Sequence, residues 1–84
     1  MSQVEVEVYK SRKRAETYLL VRAADGLTRV PEELIRHFGE AQFSFRFELT
    51  GERRLSRIDP ADLLARLQDP GYWLQLPPPA EVST

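Results

Sequence analysis

The chain has 84 residues, a formal net charge of −1 and no cysteine, with 42% hydrophobic and 30% charged residues. This length allows one domain with a small core, and the lack of cysteine excludes disulfides, thiol catalysis and cysteine-bound metals. The near-neutral charge argues against a surface built wholly for nucleic acid, and there is neither a long apolar window for a membrane span nor a signal peptide.

The first half of the chain predicts a β-hairpin followed by a short helix. Valines alternate with polar residues over 4–9, which is the period of a strand with one buried face. Residues 10–16 break that pattern as a turn, and residues 17–22 form a second strand that pairs with the first. Pro31 at the first helical position and acids in the first turn begin a helix that Gly39 ends.

The third predicted strand is the most regular pattern in the sequence. Phe43, Phe45, Phe47 and Leu49 alternate with polar residues, so all four are expected on one face. Burial of a phenylalanine contributes about 1.5–3 kcal/mol, which exceeds a surface ion pair several-fold. The sequence therefore predicts that this aromatic face is the centre of the core.

A second helix and a last strand complete the predicted elements. Asp59 is a suitable N-cap, Pro60 fits the first helical position, and leucines at 63, 64 and 67 give an apolar stripe. In the last strand Trp73 faces away from Tyr72 and the leucines. The predicted core comprises Val6, Val8, Leu19, Val21, Leu34, Phe38, Phe43, Phe45, Phe47, Leu63, Leu67 and Leu74.

The order ββαβαβ predicts an α+β domain with a largely antiparallel sheet of about four strands and two helices. The connections are too short for a doubly wound parallel sheet. Residues 1–79 form this single domain, and residues 80–84 are expected to be a flexible tail.

Several short motifs, in order, carry a resemblance that covers most of the chain. They are Tyr9-Lys10-Ser11 with Lys13-Arg14 and Tyr18-Leu19, Arg29-Val30-Pro31-Glu32-Glu33-Leu34 with Phe38-Gly39, and Gly71-Tyr72 with Leu74-Gln75-Leu76-Pro77-Pro78-Pro79. On these residues the chain resembles the YcgL-domain family, small bacterial proteins of unknown function. The resemblance implies an α/β/α sandwich and supplies no catalytic residues.

The residues themselves do not predict an enzyme. The one histidine, His37, lies in a last helical turn, where it interacts favourably with the helix dipole. Glu5 and Glu7 share a strand face and are interpreted as solvated carboxylates, not as a catalytic pair. We therefore expect no catalytic residues, no metal site and no cofactor.

A basic turn offers one candidate binding surface. Lys10, Arg12, Lys13 and Arg14 are close in sequence and lie next to two tyrosines, a composition that can bind phosphates and stack on bases. The alternative is a solvated hairpin turn that promotes solubility. A second arginine group (Arg53, Arg54 and Arg57) strengthens the first interpretation if it lies on the same side.

The last strand offers a second candidate, a protein-partner surface. It comprises Tyr72, Trp73, Gln75, Pro77, Pro78 and Pro79. An exposed tryptophan is a typical interface anchor and the prolines extend it rigidly, whereas the alternative places Trp73 beneath a helix. The sequence thus favours a monomeric, cytoplasmic, non-enzymatic binding or regulatory module that acts through an unidentified protein partner, away from membranes. Weak RNA or DNA binding by the basic turn is the alternative.

Overall fold

A computed structural model of the chain describes residues 4–50 and 58–77. These residues form one four-stranded sheet and two helices in the predicted order. The strands are β1 (Val4–Ser11), β2 (Tyr18–Arg22), β3 (Ala41–Leu49) and β4 (Tyr72–Gln75), and the helices are α1 (Glu32–Phe38) and α2 (Pro60–Gln68). The predicted α+β class and the predicted order are confirmed.

The sheet has the order β3-β1-β2-β4, and every neighbouring pair is antiparallel. The predicted hairpin pairs β1 with β2, with Val6 opposite Arg22 and Lys10 opposite Tyr18. Strand β3 returns to the far side of β1, and β4 joins the far side of β2. Among the described residues, β3 and β4 are therefore the two edge strands.

Each helix packs on a different face of the sheet. Leu63 and Leu67 of α2 join the valines of β1, Leu20 and Leu49 in a buried cluster on one face, the α2 face. Phe38 of α1 joins Leu19, Val21 and Val30 on the opposite face, the α1 face. Burial of two faces rather than one explains why β2 is apolar at successive positions. The arrangement is the α/β/α sandwich that the resemblance implied.

Both helices begin close to the predicted residues. Helix α1 begins at Glu32, so Pro31 is its N-cap and not its first helical residue. Helix α2 begins at Pro60 after the N-cap Asp59, as predicted, but the Asp59 side chain makes no capping hydrogen bond. Tertiary packing of Phe38, Leu63 and Leu67 therefore stabilises these short helices more than their caps do.

The prediction that the β3 phenylalanines form the centre of the core is wrong for Phe43 and Phe45. Their relative exposures are 50% and 51%, and Phe47 is only partly buried. Val8 lies opposite Phe45 but the next residue, Tyr9, lies opposite Phe43, so Ser44 is an extra residue in a β-bulge. The bulge turns Phe43 to the α1 face while Phe45 stays on the α2 face, and both lie on an edge strand beyond the buried clusters.

Some sequence predictions lie outside the described residues. These are the second arginine group (Arg53, Arg54 and Arg57), Pro78 and Pro79 of the candidate partner surface, and the tail at 80–84. Within residues 4–50 and 58–77, no helix is long and apolar enough to cross a membrane.

Candidate functional site

Side chains of the candidate partner surface on β4 pack on both faces of the sheet. Trp73 is partly buried and packs against the α2-face cluster, while Tyr72 and Leu74 pack against the α1-face cluster. Gln75 is also partly buried, and exposure increases only at Leu76 (57%) and Pro77. Trp73 thus contributes to packing, so the exposed part of this surface is its C-terminal end.

The basic turn has a defined backbone conformation because Ser11 organises it. The buried Ser11 hydroxyl accepts hydrogen bonds from the backbone N–H groups of Lys13 (3.0 Å) and Arg14 (2.9 Å). It also donates to the carbonyl of Phe38 at the end of α1. The Ser11 N–H donates to the carbonyl of Thr17 at 3.0 Å, which closes the base of the turn.

The same turn caps the C-terminal end of α1. Arg14 Nε donates to the carbonyl of His37 at 2.8 Å, and the Arg12 N–H donates to the carbonyl of Glu40 at 3.0 Å. Helices leave their last carbonyls without intrahelical partners, and cationic side chains stabilise that negative end of the dipole. The interaction fixes the last turn of α1, which contains Arg36 and His37, against the basic turn through the carbonyl of His37.

The structure does not bring all four predicted basic residues together. Arg12, Lys13 and Arg14 are exposed beside α1, and Arg12, Lys13, Gly39 and Glu40 line an open hollow of about 400 Å³. Lys10 belongs to β1 and lies opposite Tyr18 and Gln42. Alternation from the buried Val8 directs Lys10 to the α2 face. The cationic group on the α1 side is therefore Arg12, Lys13, Arg14 and Arg36.

The α1 face also carries, on β1 and β3, a network of charged groups around Glu7. Tyr9 Oη donates to Glu7 Oε1 at 3.0 Å, and Arg46 Nη2 donates to Glu7 Oε2 at 2.9 Å. Arg46 also lies 3.6 Å from a carboxylate oxygen of Glu5. Together with Arg22, Glu5, Glu7 and Arg46 line an open cavity of about 460 Å³. Both oxygens of Glu7 are thus occupied, and its side chain is only 12% exposed.

The Glu7 network predicts how stability changes at high pH. Burial, then the hydrogen bond to Glu7 and that residue's negative charge, raise the pKa of Tyr9 above its ordinary value of 10.0, with a smaller opposing effect from Arg46. A raised pKa means that folding favours the neutral phenol, so its contribution is complete below pH 10.0 and is lost as the pH rises through the raised pKa. We expect the wild type to lose more unfolding free energy than Tyr9→Phe above pH 10.0, measured by urea denaturation. Parallel pH profiles for the two proteins would contradict this.

Strand β3 carries an exposed aromatic surface that its sequence pattern did not predict. Phe43 packs edge-to-face on Tyr9, with ring centroids 5.8 Å apart, and Phe45 packs on Phe47 at 6.0 Å, yet half of Phe43 and of Phe45 is exposed. The short lengths of the two predicted helices could have indicated that part of the sheet stays exposed. Helices of 7 and 9 residues are about 10 and 13 Å long, whereas a nine-residue strand is about 30 Å long. Two such helices cannot cover the whole of both faces.

No metal-binding cluster was predicted, and the described residues contain no group of three or more histidine, aspartate or glutamate side chains that could hold a metal ion. Some of the described charged side chains form ion pairs, such as Arg22 with Asp25 at 3.7 Å and Arg12 with Glu40 at 3.8 Å.

Motifs on which the resemblance rests are far apart in sequence but are in contact in the structure. Lys13-Arg14 packs on Phe38-Gly39 through the capping contacts of the basic turn. Arg29 lies against Gly71, and its Nη2 donates to the carbonyl of Gln68 at 3.1 Å. These contacts join the hairpin to α1, and the loop before α1 to the end of α2.

Comparison with known proteins identifies the family to which the chain belongs. The family model for the YcgL domain matches residues 6–78. A YcgL domain-containing protein of Azotobacter vinelandii is 49% identical over 74 residues, which cover 88% of this chain and 76% of the relative. One from Pectobacterium atrosepticum is 42% identical over 74 residues, covering 88% and 87%. The chain therefore belongs to the YcgL domain family, bacterial proteins of uncharacterised function.

Proposed function

We propose that this YcgL domain is a non-enzymatic, cytoplasmic binding module that acts through a protein partner, and that the partner docks on β3 at Phe45. The observation that carries the proposal is the exposure of Phe45, which is 51% exposed in the middle of a nine-residue edge strand. Phe45 and the adjoining ring of Phe47 on the α2 face together form the Phe45 surface.

Two properties of β3 support a protein as the ligand. Within the described residues β3 pairs only with β1, which makes β3 an edge strand of the sheet that those residues form. Edge strands can bind extended segments by adding a strand, and side-chain pockets then provide specificity. The rings of Phe45 and Phe47 lie 6.0 Å apart and offer an apolar contact beside that edge. Aromatic residues in this setting are common binding anchors.

The geometry of β3 indicates the chemistry of the partner. Phe45 and Phe47 alternate with Arg46, which lies on the opposite face and is paired with Glu7. A strand that adds to β3 would place alternate side chains on each face. The expected partner is an extended segment with apolar residues at every second position on the α2 face and polar residues between them.

The same residues give little support for an enzyme. Glu7 is the least exposed carboxylate of the α1-face network, and both of its oxygens already accept hydrogen bonds, from Tyr9 and Arg46. A general base must come within hydrogen-bond reach of the substrate proton, and the Glu7 side chain is only 12% exposed. A carboxylate held in this way stabilises the fold and is poorly placed for proton transfer.

A pair of alanine variants tests the proposal. We expect Phe45→Ala to abolish the capture of a specific protein from native cell extract, because it removes the exposed apolar anchor. Phe43→Ala is the matched control, since Phe43 is the same residue type, lies on the same strand and is equally exposed, at 50%, but faces the other side. Capture is measured with and without nuclease treatment, and amide spectra establish that both variants are folded.

The outcomes separate the explanations. A protein retained by the wild type and by Phe43→Ala, and lost with Phe45→Ala in both nuclease conditions, supports docking on the Phe45 surface. Equal retention by the wild type and both folded variants would refute it. A protein that disappears after nuclease treatment would show that the contact is mediated by nucleic acid.

A further inference from the structure

We propose that the α1 side of the domain binds single-stranded nucleic acid, with phosphates at Arg12, Lys13, Arg14 and Arg36 and a base stacked on Phe43. This site lies on the opposite face from the Phe45 surface, and it does not depend on the protein-partner proposal. It differs from a general basic patch because it combines cations on a fixed turn with an exposed aromatic ring.

The cations are held on a rigid support. Ser11 fixes the backbone at Lys13 and Arg14, and Arg14 is anchored to the His37 carbonyl at 2.8 Å. A fixed turn loses less conformational entropy when it binds a ligand than a flexible one does. The turn contacts the carbonyl of His37, which directly follows Arg36, so the end of α1 adds a fourth cation on this side of the domain.

The basic turn itself carries a net positive charge. The acidic residues nearest to Arg12, Lys13 and Arg14 in sequence are Glu16 and Glu40, and three cations against two carboxylates leave a charge of +1, although the whole chain is at −1. Arg36 follows Glu32 and Glu33 by one helical turn. Glu40 lies 3.8 Å from Arg12, and the two side chains are 74% and 56% exposed. Exposed ion pairs of this kind are weak, so a phosphate can replace Glu40 at Arg12. The hollow of about 400 Å³ between them provides space for that phosphate.

Phe43 supplies a stacking surface near the cations. It lies on β3 three residues after Glu40, a separation of about 10 Å along a strand, and the bulge directs it to the α1 face. The edge-to-face contact with Tyr9 orients the ring and leaves half of the side chain exposed. Stacking on aromatic rings beside a positively charged path is how proteins bind single strands without reading the sequence.

The acidic residues on the same face do not prevent this binding. Glu7 accepts hydrogen bonds from Tyr9 and Arg46, and Arg46 also lies within 3.6 Å of Glu5. The charge of the network is therefore partly neutralised beside Phe43. The site ends at this network. Arg46 is paired with Glu7 and Glu5, and the rest of β3 after Arg46 contains no cationic residue.

The test is fluorescence anisotropy with the purified chain and labelled oligouridylate or oligothymidylate of about 10 nucleotides. We expect binding at low salt, and the affinity should fall as salt rises with a log–log slope of about −2.8. Single strands give about −0.7 for each phosphate neutralised, and the four cations imply four contacts. Lys13→Gln should reduce the magnitude of this log–log slope by about 0.7, because it removes one phosphate contact. Glu40→Gln should tighten binding, because it removes the carboxylate that competes with phosphate at Arg12.

Phe43 distinguishes this site from a simple anion site. Phe43→Ala should weaken oligonucleotide binding about 5- to 100-fold, while Phe45→Ala and Arg66→Gln should leave it unchanged. Arg66 is an exposed arginine on α2, which packs on the other face of the sheet. Duplex DNA should bind more weakly than either single strand, because its bases cannot stack on Phe43.

Three results would overturn the proposal. The first is the absence of salt-dependent binding of the oligonucleotide at about 50 mM salt. The second is equal oligonucleotide affinity of the wild type and Phe43→Ala. The third is an affinity for inorganic polyphosphate that equals the affinity for the oligonucleotide. Loss of protein capture with Phe45→Ala does not bear on these measurements, so each proposal can fail alone.

Discussion

Gly39→Ala should destabilise the fold by about 3 kcal/mol or more. Gly39 has φ 91° and ψ −167°, a region that side-chain-bearing residues avoid at a cost of about 1–3 kcal/mol. A Cβ on Gly39 would also lie 2.6 Å from Cβ of Lys13. That neighbour is not the flexible end of its side chain, so the basic turn must move away from α1. The turn then loses hydrogen bonds to the carbonyls of His37 and Phe38, each worth about 1 kcal/mol.

Gly26→Ala is the matched control for this measurement. Gly26 also has positive φ, at 58°, but a Cβ there has no atom within 4 Å. The expected loss is about 1 kcal/mol, from the left-handed conformation alone. Urea denaturation of both variants gives the comparison. Equal losses would mean that the packing of the turn on α1 contributes nothing to stability.

Leu19→Ala should cost about 2–5 kcal/mol, whereas Phe45→Ala should cost about 1 kcal/mol although it deletes a larger side chain. Leu19 is fully buried on central strand β2, and truncation leaves a cavity that the neighbouring strands cannot fill. Half of the Phe45 side chain is already in water, so its removal returns little buried surface to solvent. The free energy of unfolding of the two variants is measured under identical conditions.

The difference in unfolding free energy between these two variants distinguishes the core predicted from sequence from the core seen in the structure. If Phe45→Ala costs as much as Leu19→Ala, Phe45 is buried in solution and the Phe45 surface does not exist. A domain of this class is typically stable by about 5–15 kcal/mol, so near the lower end of that range Leu19→Ala leaves a measurable unfolded fraction while Phe45→Ala stays folded.

Much of the architecture was predictable because local patterns and packing agree. The valines of β1, the hairpin to β2 and the leucine stripe of α2 each appear in the structure where their periodicity indicated. The two faces of β4 were also predicted, with Trp73 on one side and Tyr72 on the other. These features depend on alternation along one element, which the sequence records directly.

The surfaces were not predictable to the same extent, because they depend on relations between elements. The alternation of β3 indicated one buried face, but burial also requires something to cover that face, and β3 lies at the edge. Nothing in the residues around Ser44 signals a bulge. The capping of α1 by the hairpin joins Arg14 to His37, 23 residues apart, and only the fold brings them together.

The bulge at Ser44 has a consequence for how this strand can change over evolutionary time. Two phenylalanines separated by one residue would ordinarily share a face, and any substitution at one would alter the surroundings of the other. Here they lie on opposite sides of the sheet and contact different partners, Tyr9 and Phe47. Selection on one side of the domain is thus uncoupled from selection on the other, and a single strand can acquire or lose two activities one at a time.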